Sequence, residues 1–463
     1  MIKHTAVPFG LRDKIGYLMG DIGNDFTFIF ASTYVMVFYS KVMGISTGLI
    51  GTMFLIARCL DAFTDIGMGR LVDKMQAGKN GRFRPWILRM CGPVALASFL
   101  IYQSGMQSAP YWLKVTYMFV TYILWGSVFY TAINIPYGSM VSVLSPDVKD
   151  RSSLSVFRSM GASIASIGIT TMTPLIVYYT DANGNQVVNA ANFTRIAGVF
   201  SILAVVAYLL CYYLTTERVV ITPSKERTKL HGRSFLGEIL SSRALIGIIF
   251  SAILLLLATL MTQGVNNYLF ADYFRNTKAL ALFGMQQLPV MLILALVSTR
   301  LSVRFGKKEC SAAGMAFAGS LFVAAGLIRI TNVYLFMALV FLAMLGMYFL
   351  QMQCYAMVSD VIDEKEVRTG VRDDGTIYGI YSFARKIGQA IAGGLSGWAL
   401  AFIGYDELAA AQTQQVADSI YRLATIFPGV VYLLCAAVLM FLYPLGKRQV
   451  EYNAAELERR RRG

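Results

Sequence analysis

Apolar runs of about 20 residues or more recur along the whole chain and are separated by polar breaks. Each run is long enough to cross a bilayer as an α-helix, which takes about 20 residues. The runs are too continuous for the alternating strands of a barrel, so helices are the expected spanning elements. The pattern predicts an all-α integral membrane protein with about twelve spans, at 16–40, 45–71, 85–106, 112–140, 155–180, 194–216, 243–272, 279–303, 309–329, 332–358, 374–403 and 418–444.

Composition and charge agree with this class. Hydrophobic residues make up 56% of the chain and charged residues 14%, which excludes an ordinary soluble domain. Most of the 41 lysines and arginines fall in breaks on one side of the membrane, which predicts that both termini are cytoplasmic in a bacterial inner membrane. The net charge of +15 is explained by this bias and by attraction to anionic membrane lipid, so no nucleic-acid partner is expected.

The longest polar cytoplasmic stretch divides the spans into two sets of six. After the second span of each set comes a short basic loop, from Arg70 to Arg84 and from Arg300 to Lys308, which indicates two related halves. The predicted parts are an N-terminal six-helix bundle at 1–216, a cytoplasmic linker at 217–242, a C-terminal six-helix bundle at 243–446 and a basic tail at 447–463.

Two further features set expectations about processing and cysteine chemistry. The first 15 residues are polar and mixed and the first apolar run is too long for a signal peptide, so we expect the first span to be retained. The six cysteines fall in predicted spans or at their ends, without CxxC spacing or a histidine cluster. We therefore expect neither a disulfide nor a cysteine metal site.

The second span carries the most informative polar side chains. Arg58, Asp61 and Asp65 are three and four residues apart, so they share one face of a helix. A carboxylate at mid-membrane costs about 2.5–3.5 kcal/mol on insertion scales, and such residues commonly serve transport. A buried ion pair between Arg58 and Asp61 without a transport role is the alternative, but it leaves Asp65 unexplained. The two carboxylates predict a cation site, for either sodium or a proton.

The first span carries Asp21 and Asp25, again on one face. A carboxylate near a helix N-terminus often only complements the helix dipole, and this is the interpretation favoured for Asp21. Asp25 lies one turn deeper, where a functional role is expected.

Two later spans carry side chains suited to a sugar. The fourth combines aromatic rings with hydrogen-bonding groups, although membrane aromatics are often only packing; these residues are Trp125, Tyr130, Thr131, Asn134 and Tyr137. The eleventh carries Tyr381 and Lys386, a lysine that is costly at this depth unless it meets a carboxylate or a water-filled cavity.

In their order along the chain, several stretches resemble the glycoside-pentoside-hexuronide:cation symporters of the major facilitator superfamily, which include melibiose permease and the glucuronide carriers. The resemblance covers nearly the whole chain. The stretches that carry it are Gly51 to Asp65, Gly81 to Trp86, Asn134 to Gly138 and Asp360 to Arg372, followed by Arg385 and Lys386.

The resemblance implies that Asp61 and Asp65 form the cation site, with Thr131 as an oxygen donor from the neighbouring helix. Thr64 stands where melibiose permease has an asparagine, which leaves both sodium and proton coupling open. No other cofactor is expected.

For the sugar, the resemblance implies that Asp25 accepts a hydrogen bond from a sugar hydroxyl, that Arg158 is a bidentate hydrogen-bond donor and that Lys386 lines the central cavity. Asn134 and Gly138 replace an aspartate and a tryptophan of melibiose permease, which argues against galactoside specificity and favours a glucuronide-like substrate. With Trp125 and Tyr381, these residues form the expected substrate set.

Charged cytoplasmic residues are also expected to form ion pairs that hold the two halves together. The alternative is that these are solvated loop charges without such a role. The residues expected in gating or structural roles are Arg58, Asp73, Arg84, Arg151, Asp360 and Arg372.

The sequence therefore predicts a monomeric cation-coupled symporter that imports a glycoside or hexuronide by alternating access, and not an enzyme. The alternatives are sodium-coupled symport of a neutral xyloside or galactoside, symport of a lysophospholipid, and a membrane-embedded enzyme acting on a lipid-linked sugar. The last would need an acid–base or metal motif in a sizeable loop, and the outward loops are short.

Overall fold

The computed structural model describes residues 8–74, 78, 81–219, 242–370, 374–409 and 411–462. These residues are mostly helical. The first part of the chain contains α1 Leu11–Val37, α2 Thr47–Lys74, α3 Arg84–Ile101, α4 Tyr111–Ile123, α5 Thr131–Leu144, α6 Val148–Val177 and α7 Ala190–Leu214. The second contains α8 Arg243–Tyr268, α9 Thr277–Met285, α10 Gln287–Phe305, α11 Lys307–Ile328, α12 Val333–Thr369, α13 Asp374–Phe402, α14 Gln414–Ala437 and α15 Lys447–Arg462.

The polar breaks supply the groups that start and stop these helices. The side chain of Asn189 accepts a hydrogen bond from the Asn192 amide at the start of α7, and Asn332 caps α12 in the same way. Gly370 ends α12 with a φ of 74°, a conformation that glycine adopts without strain. Within each helix the backbone groups bond to one another, as a hydrocarbon environment requires.

Several helices contain a π-helical turn, in which each amide bonds to the carbonyl five residues earlier. The turn at Leu124–Tyr130 joins α4 to α5, so the predicted fourth span is one long helical segment with a local change of register. Others follow α1, α8 and α14, at Phe38–Val42, Leu269–Tyr273 and Val438–Leu442. A two-stranded antiparallel hairpin, β1 Tyr178–Thr180 and β2 Gln186–Val188, connects α6 to α7.

Nine helical segments among the described residues are long and apolar enough to cross a membrane. The other three long helices, α1, α2 and α13, carry the carboxylates of the first two predicted spans and the Arg385–Lys386 pair. Together these segments correspond to the twelve predicted spans, and the exact number that cross the bilayer stays a prediction.

Several boundaries differ from the predicted ones. The tenth predicted span ends at 358, whereas α12 continues to Thr369, so Asp360 lies on a helix and not in a loop. The eighth span is divided into α9 and α10 at Gln286. The predicted tail forms the helix α15.

The chain divides into two compact units. The first contains α1 to α7 with Leu280–Met285, and the second contains α8 and α10 to α15. In the first unit α1 packs against both α6 and α7, and in the second α11 packs against α12 and α14. Each unit has its own buried interior, with Tyr34 and Tyr137 fully buried in the first and Tyr268 and Tyr432 in the second.

Candidate functional site

The carboxylates of α2 meet the π-helical turn Leu124–Tyr130 and the start of α5. Ser127 Oγ donates to Asp61 Oδ1 at 2.6 Å, and Thr131 Oγ1 donates to Asp65 Oδ1 at 3.0 Å. Ser127 and Thr131 are four residues apart, as are Asp61 and Asp65, so two pairs on two helical segments face each other. The result is a group of carboxylate and hydroxyl oxygens inside the first unit.

Arg58 closes one side of this group. Its Nη1 lies 3.1 Å from Asp61 Oδ2, and the guanidinium sits over the Phe28 ring at 5.4 Å. Phe28 in turn stacks on Tyr130, with ring centroids 5.3 Å apart. The ion pair between Arg58 and Asp61, the alternative to a transport role, is therefore present, and Asp65 accepts a hydrogen bond from Thr131.

Two further hydroxyl residues belong to this region. The Thr64 hydroxyl, predicted to belong to the cation site, donates to the Asp61 carbonyl of its own helix at 3.2 Å. Because the oxygen keeps its lone pairs, the role of Thr64 in the cation site stays a prediction. Ser127 was not predicted, and it is only 3% exposed. Its four-residue spacing from Thr131 was a signal available in the sequence, but the register change at the π-helical turn was not.

A second polar group joins α1 to α6. Arg158 Nε donates to Asp21 Oδ1 at 2.9 Å, and the guanidinium lies 5.4 Å from the centroid of the Tyr137 ring. Tyr137 stacks on Tyr17 at 4.7 Å. The dipole interpretation of Asp21 is wrong, because α1 begins at Leu11 and Asp21 lies almost three turns inside it, beyond the first turn where the dipole acts.

Asp25 lies one turn beyond Asp21 and is half-buried. It makes no hydrogen bond with any residue that the structure describes. Asn134 lies close to the cation group along the chain, three residues after Thr131, and is half-buried as well. Trp125, predicted to contact the sugar, is 2% exposed and packs against the rings of Tyr122 and Tyr130, and its contact with substrate stays a prediction.

The second unit holds the remaining predicted substrate residues on α13. Tyr381 is fully buried, and its hydroxyl accepts a hydrogen bond from Arg385 Nη1 at 3.4 Å. Arg385 also lies over the rings of Tyr355 and Tyr381 at 5.5 and 5.8 Å. Lys386 is half-buried on the same helix.

The predicted gating residues occupy contacts within their own units. Arg84 donates to the Tyr212 carbonyl at 2.7 Å, and Arg151 donates to the Pro146 carbonyl at 3.0 Å. Asp360 pairs with Lys307 at 2.6 Å. Arg372 and the side chain of Asp73 lie outside the described residues.

The chain matches a family model described as "MFS/sugar transport protein" over residues 16–447. It is 30% identical to the uncharacterized symporter YjmB of Bacillus subtilis (strain 168), over 96% of this chain and 95% of the relative. It is also 30% identical to the putative glycoside/cation symporter YagG of Escherichia coli (strain K12), over 97% and 95%. With the glucuronide carrier protein homolog of Escherichia coli (strain K12) it shares 26% identity, over 97% and 96%.

Solved structures of low sequence identity share the fold. A bacterial homolog of the human lysosomal transporter Spinster superposes with a TM-score of 0.68 at 12% identity, covering 96% of this chain and 99% of that one. The nucleoside transporter NupG superposes with a TM-score of 0.64 at 16% identity, covering 93% and 99%. At these identities the likeness concerns architecture alone.

Proposed function

The chain belongs to the MFS/sugar transport protein family, and from this premise we propose that Asp61 and Asp65 couple sugar uptake to a cation gradient. The protein is a multi-pass membrane protein of the transporter fold, and its relatives indicate a cation/sugar symporter. One observation carries the proposed site: each carboxylate accepts a hydrogen bond from a hydroxyl of a neighbouring helical segment.

The donor set fits a hard cation. Carboxylate and hydroxyl oxygens are the ligands that sodium shares with other hard ions, and the same carboxylates can instead exchange a proton. Asp61, Asp65, Thr131 and Thr64 would hold the coupling ion, because each hydroxyl that donates its hydrogen still has oxygen lone pairs for a cation. Arg58 pairs with Asp61, and a bound cation would add positive charge beside the two carboxylates.

Coupling follows from linkage between two sites. If neutralising Asp65 favours the conformation that binds sugar, then sugar raises the affinity for the cation by the same factor. Loading both ligands would then allow the two units to change their mutual arrangement, as in alternating access. The chemistry requires no covalent step and no cofactor beyond the ion, Na⁺ or H⁺.

For the substrate we propose a glycoside or hexuronide, held by Asp25, Asn134, Arg158 and Lys386. A glucuronide-like sugar is supported by the neutral Asn134 together with two basic residues. A neutral glycoside is the second candidate, because Asp21 already neutralises Arg158. In this proposal the protein acts as a monomer in a bacterial inner membrane with both termini in the cytoplasm.

The experiment is uptake by purified protein in liposomes under an imposed sodium gradient or an imposed pH gradient. Labelled glucuronides, glucosides, xylosides and galactosides are supplied one at a time. Accumulation of one sugar driven by one gradient supports symport and identifies the ion. Equilibration of a sugar at the same rate with and without both gradients would contradict coupling, and no sugar uptake at all would contradict the substrate class.

A further inference from the structure

In the ion pair between Asp21 of α1 and Arg158 of α6, one side chain is buried and the other is partly exposed. The Asp21 side chain is 7% exposed, whereas the Arg158 side chain is 42% exposed. Part of the Arg158 side chain is therefore accessible, whereas the Asp21 carboxylate is buried. An accessible charged pair on transmembrane helices is costly in lipid, so the exposed side of Arg158 is expected to face water or ligand.

The surroundings hold this pair in one geometry. The α6 backbone comes close to α1 at Gly161, where an added Cβ would lie 2.6 Å from the Leu18 carbonyl oxygen and 3.3 Å from Asp21 Cβ. The Tyr137 ring supports the guanidinium from another side, and its hydroxyl donates to the Tyr17 carbonyl at 2.6 Å. Packing thus holds Asp21 beside Arg158 in addition to the ion pair itself.

This fixed neighbour changes what Arg158 can attract. A bare guanidinium favours a carboxylate strongly, since charge-assisted bonds are about twice as strong as neutral ones. The Asp21 carboxyl, 2.9 Å from Arg158 Nε, offsets the guanidinium charge, and an incoming carboxylate would also approach Asp21. A neutral sugar hydroxyl meets no such repulsion and can still accept a hydrogen bond from the guanidinium.

We propose that Asp21 is a specificity-determining residue, which neutralises Arg158 and thereby lowers the affinity for anionic glycosides relative to neutral glycosides of the same shape. The inference rests on the proposed function, in which Arg158 contacts the sugar. Removal of Asp21 should therefore change the ratio of the affinities for the anionic and the neutral glycoside. A carboxylate with a purely structural role would change both affinities alike.

The test uses two probes of nearly equal shape, p-nitrophenyl β-D-glucuronide and p-nitrophenyl β-D-glucoside, which differ in a carboxylate against a hydroxymethyl group. Their dissociation constants are measured for the purified full-length protein, for Asp21→Asn and Asp21→Ser, and for the control Asp181→Asn. Asp181 lies in the hairpin turn, where it accepts hydrogen bonds from the Asn183 and Asn185 amides.

We expect Asp21→Asn to shift the affinity ratio toward the glucuronide by about tenfold, the scale of one charge-assisted hydrogen bond, and Asp181→Asn to leave it unchanged. Asp21→Ser provides the same test if the asparagine variant does not elute as a folded protein. An unchanged ratio, or an equal loss of both ligands in a variant that elutes normally, would overturn the inference. If the wild type binds neither these probes nor any sugar of the uptake panel, the proposed function itself fails.

Discussion

At the scale of single residues, the cation group depends on hydrogen bonds that cross between helical segments. Asp61 has a partner on each carboxylate oxygen, Ser127 on one and Arg58 on the other. Asp65 has a hydroxyl donor in Thr131. The two acids therefore differ in the side chains that contact them, a hydroxyl and a guanidinium at Asp61 and the Thr131 hydroxyl at Asp65.

Replacing either carboxylate should abolish uphill transport. Asp61→Asn and Asp65→Asn keep the size of the side chain but remove the charge, so the sugar should only equilibrate across the membrane. Accumulation ratios in energised vesicles check this, with membrane insertion confirmed by immunoblot. Normal accumulation in both single variants would contradict the assignment, and Asp181→Asn is the control with the same chemical change outside the group.

Ser127→Ala should weaken the response to the coupling ion without abolishing transport. The hydroxyl that bonds Asp61 Oδ1 is lost, and the ion concentration for half-maximal uptake should rise by about tenfold. Ser396→Ala is the matched control, because Ser396 is equally buried at 3% exposure and its hydroxyl donates to the Ala392 carbonyl of its own helix. An equal change in both variants would assign the effect to general packing.

At the scale of helices, the side chain of Glu217, which follows α7, contacts the start of α3 in the first unit. Glu217 accepts hydrogen bonds from the amides of Arg82, Phe83 and Arg84 at 2.6, 2.8 and 2.8 Å, so its carboxylate caps the start of α3. The next residue, Arg218, pairs with the buried Asp13 at 2.9 Å. These contacts hold the first residues of the predicted linker against the first unit.

Glu217→Gln should lower the thermal stability of the protein. The charge and one carboxylate oxygen are lost where three amides converge, at a cost of about 1–3 kcal/mol for bonds to a charged group. A thermal-shift measurement in detergent checks this against Glu451→Gln, since Glu451 is 63% exposed and lies 3.8 Å from Lys447. Equal melting temperatures for the wild type and Glu217→Gln would contradict the capping role.

The second unit depends on close helix packing at Gly346. A Cβ added there would collide with the backbone carbonyl of Gly314, where α11 and α12 cross. Small residues at such crossings let membrane helices approach closely. Gly346→Ala should therefore destabilise the protein in the same assay, while Gly379→Ala, where the added Cβ meets nothing within 4 Å, should not.

At the scale of the whole molecule, the orientation in the membrane follows from the distribution of positive charge. The hairpin that joins α6 to α7 and the helix α15 are predicted to lie on opposite sides. In a cysteine-free background, Asn183→Cys should react with an impermeant maleimide in intact cells whose outer membrane is permeable to it. Glu451→Cys should react only after the inner membrane is opened, and the reverse pattern would contradict the predicted orientation.

The fold class follows directly from the sequence, because a bilayer admits only long apolar helices or closed barrels and the apolar runs exclude the barrel. Helical periodicity likewise shows that Asp61 and Asp65 share a face, since residues four apart must do so. The sequence also suggested Thr131, through the resemblance of its surroundings to known symporters. Helix ends were less well predicted where a helix continues past its apolar part, as α12 does to Thr369.

Only the tertiary structure decided which faces meet. Periodicity describes one helix at a time, whereas the axial height and rotation of its neighbour depend on packing along the whole bundle. The π-helical turn that presents Ser127 to Asp61 changes this rotation locally, and the approach of α6 at Gly161 brings Arg158 to Asp21. For that reason the carboxylates could be found from the sequence alone, but the partners that tune them could not.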